Sequence, residues 1–570
     1  MQTKQNTPLW ATLLFNLILS VFITLLLTAP AISFLDSHVV GYPHDGFEYV
    51  FKMDWFYETL IERHISPANF DHLQYPYTET NHYITASPLI YTLSLPVVRH
   101  WGPLQTYNIF LLACFVLNWV CAAALAHRFV PSPIFTSVAG AVFAFNANIF
   151  AHAVGGHMGQ VFAFLVPLSV LFLLRLWHKP NLRHSLLAGI TFGLYVLTDL
   201  KIVAYVAIPL LGFFMLYWGI VDRKQWNKAR LLYLGVTAVV IAVIVLPFLT
   251  PLFIDKVQGN LAYFKTDVPA TKHAADLLAF FIPSPEHPLF KNWQGLNELG
   301  TRLALPGWHE NIFFLGWATL ALAAFAAFQN RKDKAVMYFA TVVLIGCIFM
   351  LGPALKVNEK IYSIPLPYAL IQKLPFYEWG RTPGRIATLV MLHLGMLAAI
   401  GVNALVEKIR WSSLKPVVGL LFLFLLLFEH LYTWPMPLGA ATVPTFMQEI
   451  AADSSDYALL ELPMWEYRCD RYQLYYAAYH HHPITGSVVS RRSLEAEESM
   501  HAIERIVMPT NGLDVHANLS PLDIRYVVFY PFCAEDTQTL TAQQDYVEAQ
   551  LGTPAYQDEW ITVYSVFDSP

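Results

Sequence analysis

The residues best suited to chemistry begin with the run Gly41-Tyr-Pro-His-Asp-Gly-Phe-Glu-Tyr-Val-Phe-Lys-Met-Asp-Trp55. In it Asp45, Glu48 and Asp54 follow closely behind a long apolar segment. A carboxylate held at a membrane surface can take a proton from an acceptor, and each of the three is a candidate general base. Asp45-Gly46 equally suits a helix start, where the carboxylate would cap N–H groups. A second group is Asn146-Ala-Asn148 with His152-Ala-Val-Gly-Gly-His157. His152 and His157 are read as hydrogen-bond partners for a phosphate or sugar; five residues apart, they are not a helical ligand pair, and no metal is assigned. Asp199 and Lys201, in Thr198-Asp-Leu-Lys201, either pair with each other or act on a ligand at membrane depth. Finally, Arg381 and Arg385 in Glu378-Trp-Gly-Arg-Thr-Pro-Gly-Arg385 carry guanidinium forks that match phosphate oxygens. A helix beginning after Pro383 would add its own N–H groups. Snorkelling, or a salt bridge to Glu378, is the simpler alternative.

The elements that must position these groups are membrane spans. Charged residues make up 13% of the 570 and apolar residues 56%, whereas soluble domains carry about 25% charged residues. An ordinary soluble enzyme is therefore excluded, and with 15% aromatics so is disorder. A net charge of −5 gives no reason to expect nucleic acid. About eleven apolar runs are long enough to be considered as spans. They lie near Leu9–Ser33, Leu104–His127, Ile134–Phe150, Gln160–Trp177, Ser185–Thr198, Ile202–Ile220, Arg230–Thr250, Ile312–Phe328, Ala335–Leu351, Ile386–Val406 and Pro416–Leu431. Threading all eleven puts the basic connections on one, cytoplasmic, side. The loops 34–103, 251–311 and 352–385 and the tail then lie outside. Residues 47–61 have the spacing of an interfacial helix with a charged face. Ile84–Val98, short and containing Pro88 and Pro96, is read as re-entrant or interfacial, and the first run as an uncleaved anchor.

Beyond Pro437 charge returns and β-like stretches appear at Tyr457–Leu462, Arg525–Tyr530 and Trp560–Val566. The expected organisation is an α-helical polytopic membrane domain, 1–435, and an extracytoplasmic soluble α/β or α+β domain, 436–570. Cys469 and Cys533 both fall in the latter, where an oxidising compartment permits a bridge. His480-His-His482 beside Tyr475-Tyr-Ala-Ala-Tyr479 is either an acceptor-contacting surface or an ordinary turn.

This arrangement resembles the GT-C superfamily of polytopic glycosyltransferases, which use polyprenyl-phosphate-linked donors. The resemblance rests on the multi-span body, the acidic first outer loop with His44-Asp45, Glu48 and Asp54, the helix after it, and the outer C-terminal domain. The chain is also similar to a group of uncharacterised bacterial membrane proteins. Matching phrases include Tyr75-Pro76, Gly102-Pro-Leu-Gln-Thr-Tyr-Asn108, Phe143-Ala-Phe-Asn-Ala-Asn148, Phe281-Ile-Pro-Ser-Pro285, Arg381-Thr-Pro-Gly-Arg385, Leu460-Glu-Leu-Pro463 and Gly486-Ser-Val-Val-Ser-Arg491.

The resemblance implies an inverting sugar transfer, metal-dependent or metal-independent, in a bacterial inner membrane. The donor would be a polyprenyl-phosphate-linked sugar and the acceptor a glycan, lipid or protein of the cell envelope. Asp45 takes the base role; Arg381 or Arg385 holds the lipid phosphate, with Lys201 a weaker candidate. Many members have two adjacent acidic residues where this chain has His44-Asp45, which keeps Glu48 and Asp54 open as the base. No nucleotide-binding fingerprint is present. The competing functions are a transporter or flippase of a lipid-linked saccharide, and a non-catalytic scaffold of the same fold.

Overall fold

The computed structural model describes residues 7–258, 269–305, 308–373, 381–487 and 494–567. Glu378 and part of the Gly486–Arg491 phrase lie outside these.

Helix α1 (Leu9–Leu27) presents leucines and phenylalanines outward but carries Asn16 on its inner side. Asn16 donates to Thr136 Oγ1 (3.0 Å) and accepts from Trp119 Nε1 (2.8 Å) and Ser137 Oγ (2.9 Å). A buried amide with this many partners fixes the helix among its neighbours.

Next come α2 (Asp45–Tyr57), α3 (Pro88–Ala126), α4 (Pro133–Phe145) and α5 (Ala147–Val154). They are followed by α6 (Leu165–His178), α7 (Leu182–Val196), α8 (Ile208–Val221) and α9 (Lys228–Gln258). The helical body closes with α10 (Trp317–Gln329), α11 (Lys334–Met350), α12 (Ala387–Val406) and α13 (Leu414–Glu429). Among the described residues, five helical stretches are long and apolar enough to cross a membrane, or six if the bent pair α4 and α5 is one span. Several apolar runs are split by backbone breaks: Asn146 caps α5 and ends α4 inside a single run. The segment around Ile84–Val98 is helical from Pro88 and runs into the next apolar run, with the axis broken at Gly102 (φ 73°).

The expected interfacial helix exists, but it does not lie bare on a surface. Phe47, Val50, Met53 and Trp55 of α2 are buried, and so are Glu48 and Lys52 on its charged side. Its cover on that side is α14 (Tyr467–His480) from the C-terminal region, where Tyr475 stacks on Phe47 at 4.5 Å. The tyrosine-rich run is thus largely core: Tyr475, Tyr476, His480 and His482 are buried, and Tyr479 and His481 are exposed.

The C-terminal region is also stitched to the connection after α1 by strand pairing, β1 (His38–Val40) with β2 (Leu438–Ala440), antiparallel. Beyond it, β3 (Ala458–Leu462), β4 (Ile524–Phe529), β5 (Tyr556–Gln557) and β6 (Thr562–Ser565) form one mixed sheet in the order β3-β4-β6-β5. β3 runs parallel to β4, and the other pairs are antiparallel. Helix α15 (Thr537–Leu551) covers it through Leu540 and Val547. Cys469 and Cys533 are disulfide-bonded, tying the first turn of α14 to the turn after β4.

Glu461 on β3 is fully buried and accepts from the Tyr530 hydroxyl. Burial pushes its carboxyl up to about 8, so it folds protonated at neutral pH. Because the native state then holds a proton the unfolded chain releases, this contribution is complete below the ordinary value of 4.5 and is lost as pH rises through about 8. Thermal unfolding in detergent across that window should show a falling midpoint in the wild type and a flatter one in Glu461→Gln.

Candidate functional site

The site is assembled where α2 starts. Asp45 is the first residue of α2, yet its carboxylate makes no cap to the helix N–H groups. Instead Oδ1 accepts from the Tyr467 hydroxyl (2.6 Å) and pairs with Arg471 (3.1 Å), while Oδ2 lies 3.2 Å from His157 Nε2. One turn on, Glu48 pairs with Lys52 (2.5 Å) and with the other arm of Arg471 (3.0 Å). Arg471, buried on α14, therefore bridges the two acids of α2. Burial alone would raise Asp45, but Arg471, His157 and Tyr467 together hold it well below the ordinary carboxylate range. Glu48 is lowered in the same way by Lys52 and Arg471.

His157 reaches Asp45 because the chain reverses at Gly156 (φ 80°), where a Cβ would collide with the backbone N of Gly46. The same reversal brings the Nδ1 atoms of His152 and His157 to 2.7 Å, although their spacing in sequence is not that of a helical pair. If His157 Nε2–H donates to Asp45, its Nδ1 accepts from His152 Nδ1–H, and His152 Nε2 is left as a bare lone pair. That nitrogen is buried with no hydrogen-bond partner and lies 3.9 Å from Glu310 Oε2. Two acceptors facing each other need a positive charge between them. His152, His157 and Glu310 offer ligand atoms within 4.8 Å of one another and suit a divalent cation.

Glu310 sits in a short 3-10 turn (Trp308–Asn311) just ahead of α10. Arg385 grips it through Nη2 (2.5 Å) and Nε (3.2 and 3.3 Å). Against the cost of burial, Arg385 holds Glu310 well below its ordinary value. The fork of Arg385 is thus engaged by protein, whereas Arg381, four residues earlier, is exposed. Rings of His44, His309 and Tyr467 gather beside Asp45, His44 lying 5.8 Å from His309 and 5.9 Å from Tyr467. The Asp199 carboxylate accepts from the Lys201 backbone N–H (2.9 Å), so the pair closes its own turn. Lys201 nevertheless acts electrostatically on Glu48, and Asp199 on Arg385, which places this turn at the same site.

Of the sequence candidates, Asp45, Glu48, His152, His157, Lys201 and Arg385 converge. Asp54 does not: nine residues along α2, it is about 13 Å away by helical rise and meets His481 instead. Glu310, Arg471 and Tyr467 were not legible as site residues. For Glu310 the available signal was an acid at the outer end of an apolar run.

A family model described as "Domain of unknown function (DUF6311)" matches residues 13–436. The chain belongs to the DUF6311 family. No curated protein matches this DUF6311 chain. Among solved structures it is similar to the oligosaccharyltransferase AglB from Archaeoglobus fulgidus, in complex with an inhibitory peptide and a dolichol-phosphate. That match has 13% identity and a TM-score of 0.52, covering 91% of this chain and 69% of that one. It is also similar to the arabinofuranosyltransferase AftD from Mycobacteria, at 13% identity and TM-score 0.58 over 97% of this chain and 40% of that one. ArnT from Cupriavidus metallidurans, bound to undecaprenyl phosphate, matches at 12% identity and TM-score 0.51, over 97% and 98%. The DUF6311 chain therefore has a GT-C-like fold.

Proposed function

We propose that this protein is a glycosyltransferase of the bacterial inner membrane that moves a sugar from a polyprenyl-phosphate-linked donor to an envelope acceptor on the extracytoplasmic face. The observation that carries the reading is the convergence of Asp45, His157 and Glu310, from three separate connections, under a C-terminal helix that supplies Arg471. The fold it shares with proteins named for sugar transfer and for bound lipid phosphates supports it. So does the disulfide, which suits an oxidising compartment. With the eleven helical runs all counted as spans, the loops carrying the site and the domain 436–570 fall outside.

A sugar on a phosphate already has a good leaving group, so the site chiefly needs orientation and charge. Asp45 stays ionised at neutral pH; held that low, it is a weak Brønsted base. Its role is to orient the acceptor and stabilise positive charge as the bond to the acceptor forms. His157, bonded to it and held in turn by His152, fixes the carboxylate's orientation, and the acceptor's proton leaves on the departing phosphate. A divalent cation held by His152, His157 and Glu310 would supply Lewis-acid charge to the same pocket. Arg381, exposed beside the site, and Lys201 are the cations assigned to the departing lipid phosphate.

Replacing Arg381 by alanine is expected to weaken undecaprenyl phosphate binding by about 10–100-fold, the value of a charge-assisted hydrogen bond. Binding to protein in lipid nanodiscs measures it, and unchanged binding would remove Arg381 from the site.

A further inference from the structure

A second constellation lies at the far end of α2, where the reaction site does not use it. Asp54 and Glu58 are four residues apart and share one helical face. The helix opens there into a π turn over Glu58–Glu62, a local feature frequent at functional sites. Across from them His481 sits at the end of α14 with φ 59°, a left-handed cap that turns its ring back toward α2. Its Nδ1 is 3.6 Å from Asp54 Oδ2 and 3.4 Å from Glu58 Oε2. Behind the pair, His72 Nε2 stands 3.5 Å from the other oxygen, Glu58 Oε1, and His72 Nδ1 is 2.8 Å from Asp71. Asp71 is in turn held by Arg63 at 2.5 Å.

The distances have a specific meaning. Zinc bound by nitrogen at about 2.0–2.1 Å and by carboxylate at about 2.0–2.2 Å puts tetrahedral ligand atoms about 3.3–3.5 Å apart. The His481 separations fall close to that edge length, and all three ligand atoms lie within 4.8 Å of one another. The carboxylates are shielded, 13% and 12% exposed, while the imidazole is 47% exposed. Two sides of the site are therefore walled by protein, and a water can complete the fourth position. His72 hydrogen-bonded to Asp71 supplies the outer layer that orients a ligating carboxylate.

We propose that Asp54, Glu58 and His481 form a divalent metal site, of zinc type, that clips the first outer loop to the C-terminal helix. Three ligands from two distant chain segments would make metal binding lock α14, and with it Arg471, over Asp45. The clip is separate from the cluster at His152, His157 and Glu310, and its test is made independent of that cluster. A protonated His481 bridging the two carboxylates is the metal-free alternative.

The experiment uses full-length protein in detergent, stripped with a chelator and titrated with Zn2+, and with Co2+ for its visible absorption. His481→Gly is the informative variant, because glycine favours the left-handed cap and removes only the imidazole. Loss of an outer-layer partner alone weakens metal binding by about 10–100-fold, so loss of a ligand should exceed about 100-fold. One equivalent of Zn2+ should disappear in His481→Gly, both in the wild-type background and in one carrying His157→Ala. Zn2+ should also raise the thermal midpoint of the wild type and not that of His481→Gly. The proposal is overturned if His481→Gly binds Zn2+ with unchanged stoichiometry and affinity, or if the His157→Ala protein with His481 intact binds none.

Discussion

Asp45→Asn is expected to lower sugar transfer by about 10²–10³-fold, the range for removing one preorganised electrostatic contact to the transition state. The amide keeps the shape but loses the charge that Arg471, His157 and Tyr467 converge on. Asn can still accept from Tyr467, so the fold should survive, and Arg471 keeps its ion pair with Glu48. Asp54→Asn is the instructive comparison. It removes an acid from the same helix at a distance from the converging groups, and its effect on transfer should be far smaller than that of Asp45→Asn, confined to what loosening the clip on α14 costs. Measured side by side as loss of the envelope glycan, equal defects in both variants would mean that this end of α2 has no special role.

The largest effect on stability is expected at Glu310 and Arg385. Both side chains are shielded, 10% and 14% exposed, and the guanidinium makes three contacts to the carboxylate. Arg385→Met would strand a buried carboxylate, which costs about 3–5 kcal/mol. Glu310→Gln strands the arginine instead, with a similar penalty. The double variant Arg385→Met/Glu310→Gln removes both charges and should recover most of the loss. Unfolding measured for the four proteins gives the coupling directly. Additive losses would show that the pair is not isolated from solvent. Activity should remain low in the double variant, because Glu310 is part of the converging set.

These expectations show which parts of the site could be read from sequence. Asp45 and Glu48 closely follow the first apolar run and His157 lies between two others, where polar residues beside apolar runs stand out. Asp54 stood out equally, and sequence proximity joined it to Asp45; the helical rise separates them. His152 and His157 were discounted as a ligand pair by their spacing, which holds for a continuous helix but not across the reversal at Gly156. Arg385 was legible as a fork for an anion, and the anion it meets is Glu310, 75 residues away. Arg471 was not legible at all: on α14 it is one basic residue among tyrosines, and only the packing of α14 on α2 brings it to the acids.

The fold was legible in a similar measure. Hydrophobic runs located the helices, and the β-like stretches after Pro437 located β3, β4 and β6. Helix breaks at Gly102 and Asn146 altered their lengths, since the backbone there leaves the helical region. What composition could not show is that the C-terminal region completes the site instead of standing apart from it.

The proposed donor is a polyprenyl-phosphate-linked sugar. Mass spectrometry of the polyprenyl-phosphate-linked sugars in membranes tests it most directly, comparing cells that carry the wild-type protein with cells that carry only Asp45→Asn. One lipid-linked sugar should accumulate in the Asp45→Asn cells as the matching residue disappears from the envelope. An unchanged lipid-linked pool and an unchanged envelope, with the variant protein present at normal level, would contradict it.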